Sequence, residues 1–146
     1  MDVPVLQIFN PSGLTLPFSE QLFRQVTATV ENVENVHFSL LEVVFVDEAE
    51  IVRLNRTFLG RNYVTDVISF RYDENRDLQS VEGTLYCCAD RIYEQAGEFH
   101  TEPEYEFYRI FIHGLLHLAG YNDQTEAEKE IMTNREDHYL KSIKEK

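Results

Sequence analysis

The stretch His113-Gly114-Leu115-Leu116-His117-Leu118-Ala119-Gly120-Tyr121-Asn122-Asp123 decides how the rest of the chain is read. Two histidines stand four residues apart inside an apolar helical pattern. Residues at i and i+4 share one helix face about a turn apart, so both imidazoles can reach one ion. Gly120 suits the left-handed conformation that ends a helix. The chain then turns back, and Asp123 can swing in as a third ligand. Three protein ligands leave a coordination position open for water, the arrangement of a catalytic metal rather than a closed structural one. His113, His117 and Asp123 are therefore the candidate ligands of one metal ion.

Each residue alone also has an ordinary structural use. Helix histidines hydrogen-bond to neighbours or face solvent, and an Asp after Gly-Tyr-Asn is commonly a turn residue or a helix cap. Spacing, glycine and carboxylate together favour the metal, because each meets a separate geometric demand. Asn122 offers only a neutral amide and is the poorer ligand. In zinc peptidases the residue after the first histidine is a Glu acting as general base. Here it is Gly114, so peptide hydrolysis by that route is not expected, and no side chain can be named as general base. A metal ion can still acidify a bound water and polarise a substrate oxygen, which suits a phosphodiester.

The 146 residues suffice for a single domain, 1–146, with a real core. Apolar residues make up 43% of the chain, so it should fold rather than remain disordered. No apolar run approaches the ~20 residues of a membrane span, and no membrane partner is expected. Met1-Asp2-Val3-Pro4 lacks the start of a signal peptide. Cys87 and Cys88 are adjacent and read as small strand residues, not as a disulfide framework or a metal pair. A cytoplasmic location follows as the expectation. The net charge of −13 argues against a general nucleic-acid coat. A local basic groove stays open, since Arg53, Arg56, Arg61, Arg71 and Arg76 cluster mid-chain. A solvated surface with scattered ion pairs is the equally ordinary account of them.

Hydrophobic periodicity and cap signals organise the rest. Val3 to Phe9 reads as a strand, followed by an Asn10-Pro11-Ser12-Gly13 turn. Ser19 can cap a helix to about Asn32 with Leu22, Phe23, Val26 and Val30 inside. Ser39 to Val46 is a buried strand. Asp47 with Glu50 opens a helix whose inner face is Ile51, Leu54 and Phe58, ended by Gly60. Val67 to Tyr72 and Gly83 to Cys88 are strands around a polar loop, Asp73 to Ser80. Asp90 caps a short helix ending at Gly97. Thr101 with Glu104 forms a capping box for the helix bearing both histidines, with Pro103 tolerated in its first turn. Thr125 with Glu128 caps the last helix, to about Ile143. An α+β domain is expected: a small mixed four-stranded sheet packed with about five helices, one of them a zincin-like metal-binding helix. Strand direction is not readable from the sequence.

With these residues in view, the sequence resembles the YbeY endoribonucleases, the ribosomal RNA maturation factors. The family signature His-Gly-x-Leu-His-Leu-x-Gly-Tyr-Asp-His is matched by His113 to Asp123. A second block, Thr-Asp-Val-Leu-Ser-Phe, is matched by Thr65-Asp66-Val67-Ile68-Ser69-Phe70, and the family's Leu-Asn by Leu54-Asn55. The order of elements matches over nearly the whole chain. The resemblance implies one divalent ion, most often Zn2+, and hydrolysis of single-stranded RNA. It also implies 3′-end maturation of 16S ribosomal RNA and ribosome quality control, with ribosomal RNA and the small ribosomal subunit as partners.

Three positions depart from the pattern. Asp123 replaces the third histidine, which adds negative charge at the metal. Leu59 stands where the family usually has an arginine thought to contact the RNA phosphate, and Arg61 or Arg56 could substitute from nearby. Thr84 stands where an Asp commonly follows the glycine. Arg56, Arg61, Asp66 and Ser69 are the candidate substrate contacts. Asp66 and Ser69 could equally organise the loop and strand start. Tyr121 is expected to pack rather than stack on a base, and His37, His100 and His138 to lie on the surface.

Three functions are then ranked. First is a metal-dependent endoribonuclease acting on ribosomal RNA. Second is a metal-stabilised ribosome-assembly binding factor with little nuclease activity, favoured by Leu59 and the charge. Third is a metallohydrolase for a substrate other than nucleic acid.

Overall fold

The structure is a computed structural model that describes residues 5–11, 13–72 and 78–144. Strands β1 (Leu6–Phe9), β2 (Phe38–Val46), β3 (Val67–Arg71) and β4 (Val81–Cys88) form one sheet in the order β1-β2-β4-β3. The helices are α1 (Glu20–Glu34), α2 (Glu48–Leu59), α3 (Ala89–Glu98), α4 (Pro103–Leu118) and α5 (Glu126–Lys144). The expected α+β class, with a mixed four-stranded sheet and five helices, is what forms. β1–β2 and β2–β4 are parallel, and β3 runs antiparallel on the outer edge of β4. Helix α1 is the crossover that a parallel β1–β2 pair demands.

The caps explain most boundaries. Ser19 Oγ accepts from Leu22 N, and Asp47 Oδ1 accepts from Glu50 N at 2.9 Å. Gly60, at φ 66°, closes α2 with its N–H on the Arg56 carbonyl. Thr125 and Glu128 form the reciprocal box: Thr125 N donates to Glu128 Oε1 at 2.9 Å and Glu128 N to Thr125 Oγ1 at 3.1 Å.

Two expected caps do not form. Helix α3 starts directly from β4 with no side-chain cap, leaving Asp90 inside its first turn. Helix α4 starts after Glu102, also without a side-chain cap, and Pro103 fills the first position, where a missing N–H costs nothing. Glu104 does not reach back to Thr101. Its Oε1 accepts from Tyr108 Oη one turn on, and that hydroxyl accepts from Ser19 N. The box is lost to a contact that ties α4 to the start of α1.

Strand β4 begins two residues earlier than expected, because Val81 pairs with Phe38 and its N–H donates to His37 O at 2.8 Å. Tyr72 lies just past β3, yet its N–H still donates to Glu82 O. The proposed strand start at Val3, Ser12 of the first turn, residues 73–77 of the polar loop and Arg76 with them lie outside the described residues.

The sheet is covered on both faces. Helix α2 packs on one through Ile51 and Leu54 against Val46, Ile68 and Cys88. The other helices cover the second face, where Phe23, Phe45, Phe107, Phe111, Leu85 and Leu116 form the main core. Phe23 and Phe111 stack at 4.1 Å between α1 and α4. Each such ring, fully buried, contributes about 1.5–3 kcal/mol, so α4 is held as a core element with only its histidine face reaching a surface cleft. Cys87 and Cys88 are buried free thiols of β4.

Candidate metal centre

Helix α4 presents His113 and His117 on one face, and their rings meet edge to face at 4.6 Å. The helix stops at Leu118. Gly120 then takes φ 104°, where a side chain would be strained, and its N–H donates to His117 O. Tyr121 N donates to Leu116 O, which folds the chain back beside the helix. That turn delivers Asp123. Its Oδ2 lies 3.4 Å from His113 Nε2 and 3.4 Å from His117 Nε2, and the two Nε2 atoms are 3.0 Å apart. All three side chains are partly exposed, at 23%, 26% and 32%.

The second ring nitrogens settle the tautomers. His113 Nδ1 lies 2.6 Å from Glu136 Oε2 of α5, and His117 Nδ1 lies 3.0 Å from the Tyr121 carbonyl. Both partners accept, so both Nδ1 atoms carry the proton. Two Nε2 atoms and a carboxylate oxygen then converge on one point, an arrangement that a shared proton or a metal cation between them relieves. Ligand bonds of 2.0–2.1 Å at tetrahedral angles place donor atoms about 3.3 Å apart, close to the separations of 3.0, 3.4 and 3.4 Å found here. The donor set therefore fits a small divalent ion. Burial lowers the His113 pKa, but the Glu136 hydrogen bond and charge outweigh it, with Asp66 and Asp123 adding to the rise. The site as a whole favours positive charge.

Two depressions meet at this point. One, of about 470 Å³, is polar and is lined by Leu59, Arg61, Asp66, Ser69, Arg71 and Gln124 together with the three candidate ligands. The other, of about 350 Å³, runs between α4, α3 and α5 and is lined by Gln95, Glu106, Ile110 and Met132. Asp66, His113 and Asp123 border both.

Of the expected substrate contacts, Arg61, Asp66 and Ser69 line the polar depression. Arg56 does not. Its guanidinium binds Asn62 Oδ1 on the exposed side of α2, at 3.0 Å from Nη2. Asp66 is tied into its surroundings: Oδ1 accepts from Val67 N at 2.7 Å and Oδ2 from Gln95 Nε2 at 3.1 Å. Thr84 lies off the site. It is buried, and its Oγ1 donates to Glu42 at 3.0 Å on the α2 side of the sheet. Tyr121 packs against the main core and donates to Glu34 Oε1 at 2.6 Å, as a packing residue would. His37, His100 and His138 are exposed.

Sequence reasoning missed Glu136, which orients His113, and Arg109, which holds Glu136 Oε1 at 2.8 Å and Asp137 at 2.6 Å. Arg71, which the sequence offered only as one of a mid-chain group of arginines, lines the polar depression, and its Nη1 reaches the Leu118 carbonyl at the end of α4. Only pairing between α4 and α5 brings Glu136 to the site, and no local spacing announces that.

The site can be compared with known proteins. A sequence profile described as Endoribonuclease YbeY matches residues 13–144. A protein named Endoribonuclease YbeY from Chlorobaculum tepidum is 39% identical over 135 residues, spanning 92% of this chain and 95% of that one. Another of that name from Ureaplasma parvum is 35% identical over 143 residues, 96% of this chain and 88% of its own. A Thermotoga maritima protein solved in solution superposes with a TM-score of 0.57 at 27% identity, covering 92% of this chain and 86% of that one.

Proposed function

The chain belongs to the YbeY endoribonuclease family, and from that membership we propose a metal-dependent, single-strand-specific endoribonuclease. Its task is 3′-end maturation of 16S ribosomal RNA and quality control of the small ribosomal subunit. The observation that supports metal dependence is the convergence of His113 Nε2, His117 Nε2 and Asp123 Oδ2 while acceptors hold both Nδ1 protons.

A divalent ion held there, with Zn2+ the best fit to the donor set, supplies Lewis acidity and an acidified water. The chain's own residues do the rest. Glu136 and the Tyr121 carbonyl fix the two imidazoles as neutral ligands. Arg61 and Arg71 in the polar depression hold the phosphodiester backbone beside the ligands, contacts that position RNA without reading its sequence. Asp66 keeps the turn before β3 in shape through Val67 N and Gln95. Ser69 offers a hydroxyl on the same wall.

The second reading is an assembly factor that binds the small subunit with little turnover. Leu59 favours it: an apolar side chain, 46% exposed, lines the polar depression where a phosphate would need a cation.

One experiment separates the two. A single-stranded 3′ fragment of 16S ribosomal RNA is incubated with metal-loaded protein and, in parallel, with His117→Ala. Cleavage by the wild type alone is expected. Undiminished cleavage by the variant overturns metal dependence. No cleavage by either, with subunit binding intact, favours the assembly factor.

A further inference from the structure

Glu34 is the last residue of α1, and nothing local explains a carboxylate there. The C-terminal end of a helix carries the negative pole of its dipole, so an acid in that turn is unfavourable. The last turn of α1 holds no basic residue to offset it. The Glu34 side chain is only 9% exposed, so little water reaches the charge. Donors distant in sequence take the place of water. Tyr121 Oη donates to Oε1 at 2.6 Å and Tyr139 Oη to Oε2 at 2.5 Å, while Arg135 Nη1 lies 3.7 Å from Oε2. One carboxylate thus joins the end of α1, the turn after α4 and helix α5.

We infer that Glu34 is a positioning residue of the metal centre, acting through Tyr121 on His117 and on the turn that carries Asp123. The role rests on the metal-dependent reading of this site. The connection is short. Glu34 holds the Tyr121 phenol, and the Tyr121 carbonyl accepts from His117 Nδ1 at 3.0 Å. The Tyr121 N–H is bonded to Leu116 O, so all three polar groups of this residue are fixed, two to α4 and one to α1. Asp123 follows two residues later. Displacing the Tyr121 ring therefore displaces the carbonyl that sets the His117 tautomer. It also shifts the turn that brings Asp123 Oδ2 to 3.4 Å from both Nε2 atoms.

A phenol that merely packs needs a partner for its hydroxyl, and a neutral acceptor would serve. The carboxylate does more. Hydrogen bonds to an ionised acceptor are shorter and roughly twice as strong as neutral ones. Two phenols, one on each oxygen, also leave the carboxylate a single orientation. Glu136 orients His113 from α5 by direct contact. Glu34 does the corresponding work for His117 from α1, at one remove. Outer partners of this kind govern metal affinity without touching the ion.

The test uses the full chain, stripped of metal and titrated with Zn2+ against a zinc-binding dye, with urea midpoints measured on the same samples. Tyr121→Phe keeps the ring and removes the link. Glu34→Gln keeps the shape and removes the charge. Each should weaken zinc binding roughly tenfold, and the double variant should lose no more than the worse single one. Tyr139→Phe is the control for structure. It takes the other phenol from Glu34, and should lower the urea midpoint while leaving zinc affinity unchanged. With Co2+ in place of Zn2+, visible absorption should shift in the first two variants and not in the control. Unchanged zinc affinity and cobalt spectrum in Tyr121→Phe and Glu34→Gln overturn the role, however much stability is lost. An equal fall in Tyr139→Phe overturns it too, since a loosened core would then explain all three. Wild-type protein that binds no zinc removes the metal reading and this role together. Zinc bound equally by wild type and both variants removes the role alone.

Discussion

His113 Nδ1 stands 2.6 Å from Glu136 Oε2, so a residue of α5 sets the tautomer of a candidate metal ligand on α4. Arg109 closes the arrangement by holding the other Glu136 oxygen at 2.8 Å. Outer partners of this kind raise ligand basicity, and losing one typically costs 10–100-fold in metal affinity. Glu136→Gln keeps an acceptor but removes the charge, so the expected loss is roughly tenfold. Competition against a zinc-binding dye measures it. Affinity equal to wild type would show that the imidazole holds its orientation without the carboxylate.

The approach of α4 to the sheet rests on two glycines whose surroundings differ in kind. A Cβ on Gly114 would meet Leu85 Cδ1 at 2.7 Å and Cδ2 at 2.8 Å, both tips of a side chain. A Cβ on Gly83 would meet Leu118 Cδ2 at 2.8 Å and also the Phe70 carbonyl oxygen at 2.9 Å, which belongs to the neighbouring strand and cannot rotate away. Overpacking costs about 1–3 kcal/mol. For Gly114→Ala, about 1 kcal/mol returns as helix propensity, leaving about 0–2 kcal/mol of destabilisation. Gly83→Ala also returns about 0.5–1 kcal/mol of backbone entropy, but its clash includes an oxygen that cannot rotate away, so it should lose more, about 2 kcal/mol. Urea midpoints of the two variants give the comparison, and equal losses would mean that the Phe70 backbone yields as easily as a leucine tip.

What was legible in the sequence was whatever short-range chemistry fixes. Ser19, Asp47 and Thr125 cap their helices as their patterns suggest, because each reaches an N–H within three residues. The His113, His117 and Asp123 cluster was readable for the same reason: a helical turn and one glycine bring the three together. Long-range partners were not readable. The Thr101 box lost Glu104 to Tyr108, whose hydroxyl was already engaged with Ser19 on α1. Glu136 carries no local mark of its role, and neither does Gln95, which reaches Asp66 across 29 residues. Parallel pairing of β2 with β4 was beyond reach too, since β3 intervenes in sequence but sits outside β4 in the sheet.

Glu106 should leave a signature in the pH dependence of stability. Its pKa in the folded chain is raised above the ordinary 4.5, first by burial, with Asp66 and Glu136 adding and Arg109 opposing. A carboxyl group with a raised folded pKa binds more protons in the folded state than in the unfolded one. Its contribution is therefore fully present below the unfolded pKa and is lost as pH rises through the folded value. Glu106→Gln removes that decline. Relative to wild type, the variant should gain stability as pH rises from about 4.5 towards neutrality. Denaturant midpoints across this range measure the difference. A wild-type-minus-variant difference that is flat with pH would show that water or Arg109 keeps the carboxylate solvated.

Leu59 offers the sharpest probe of how the polar depression meets RNA. It is the last residue of α2, capped by Gly60 and 46% exposed, so replacing it disturbs little packing. Its side chain lines the same wall as Arg61. Leu59→Arg therefore places a new cation where a backbone phosphate would pass. One added phosphate contact on a single strand should steepen the dependence of log affinity on log salt by about 0.7. Fluorescence anisotropy of a single-stranded RNA, with Leu59 and Leu59→Arg compared in the His117→Ala background where no cleavage is expected, reads affinity at several salt concentrations. A steeper slope with faster cleavage by the Leu59→Arg single variant would mean that a missing phosphate contact limits the wild type. A steeper slope with no gain in cleavage would place the limit at the metal centre, and an unchanged slope would mean that RNA does not run along this wall.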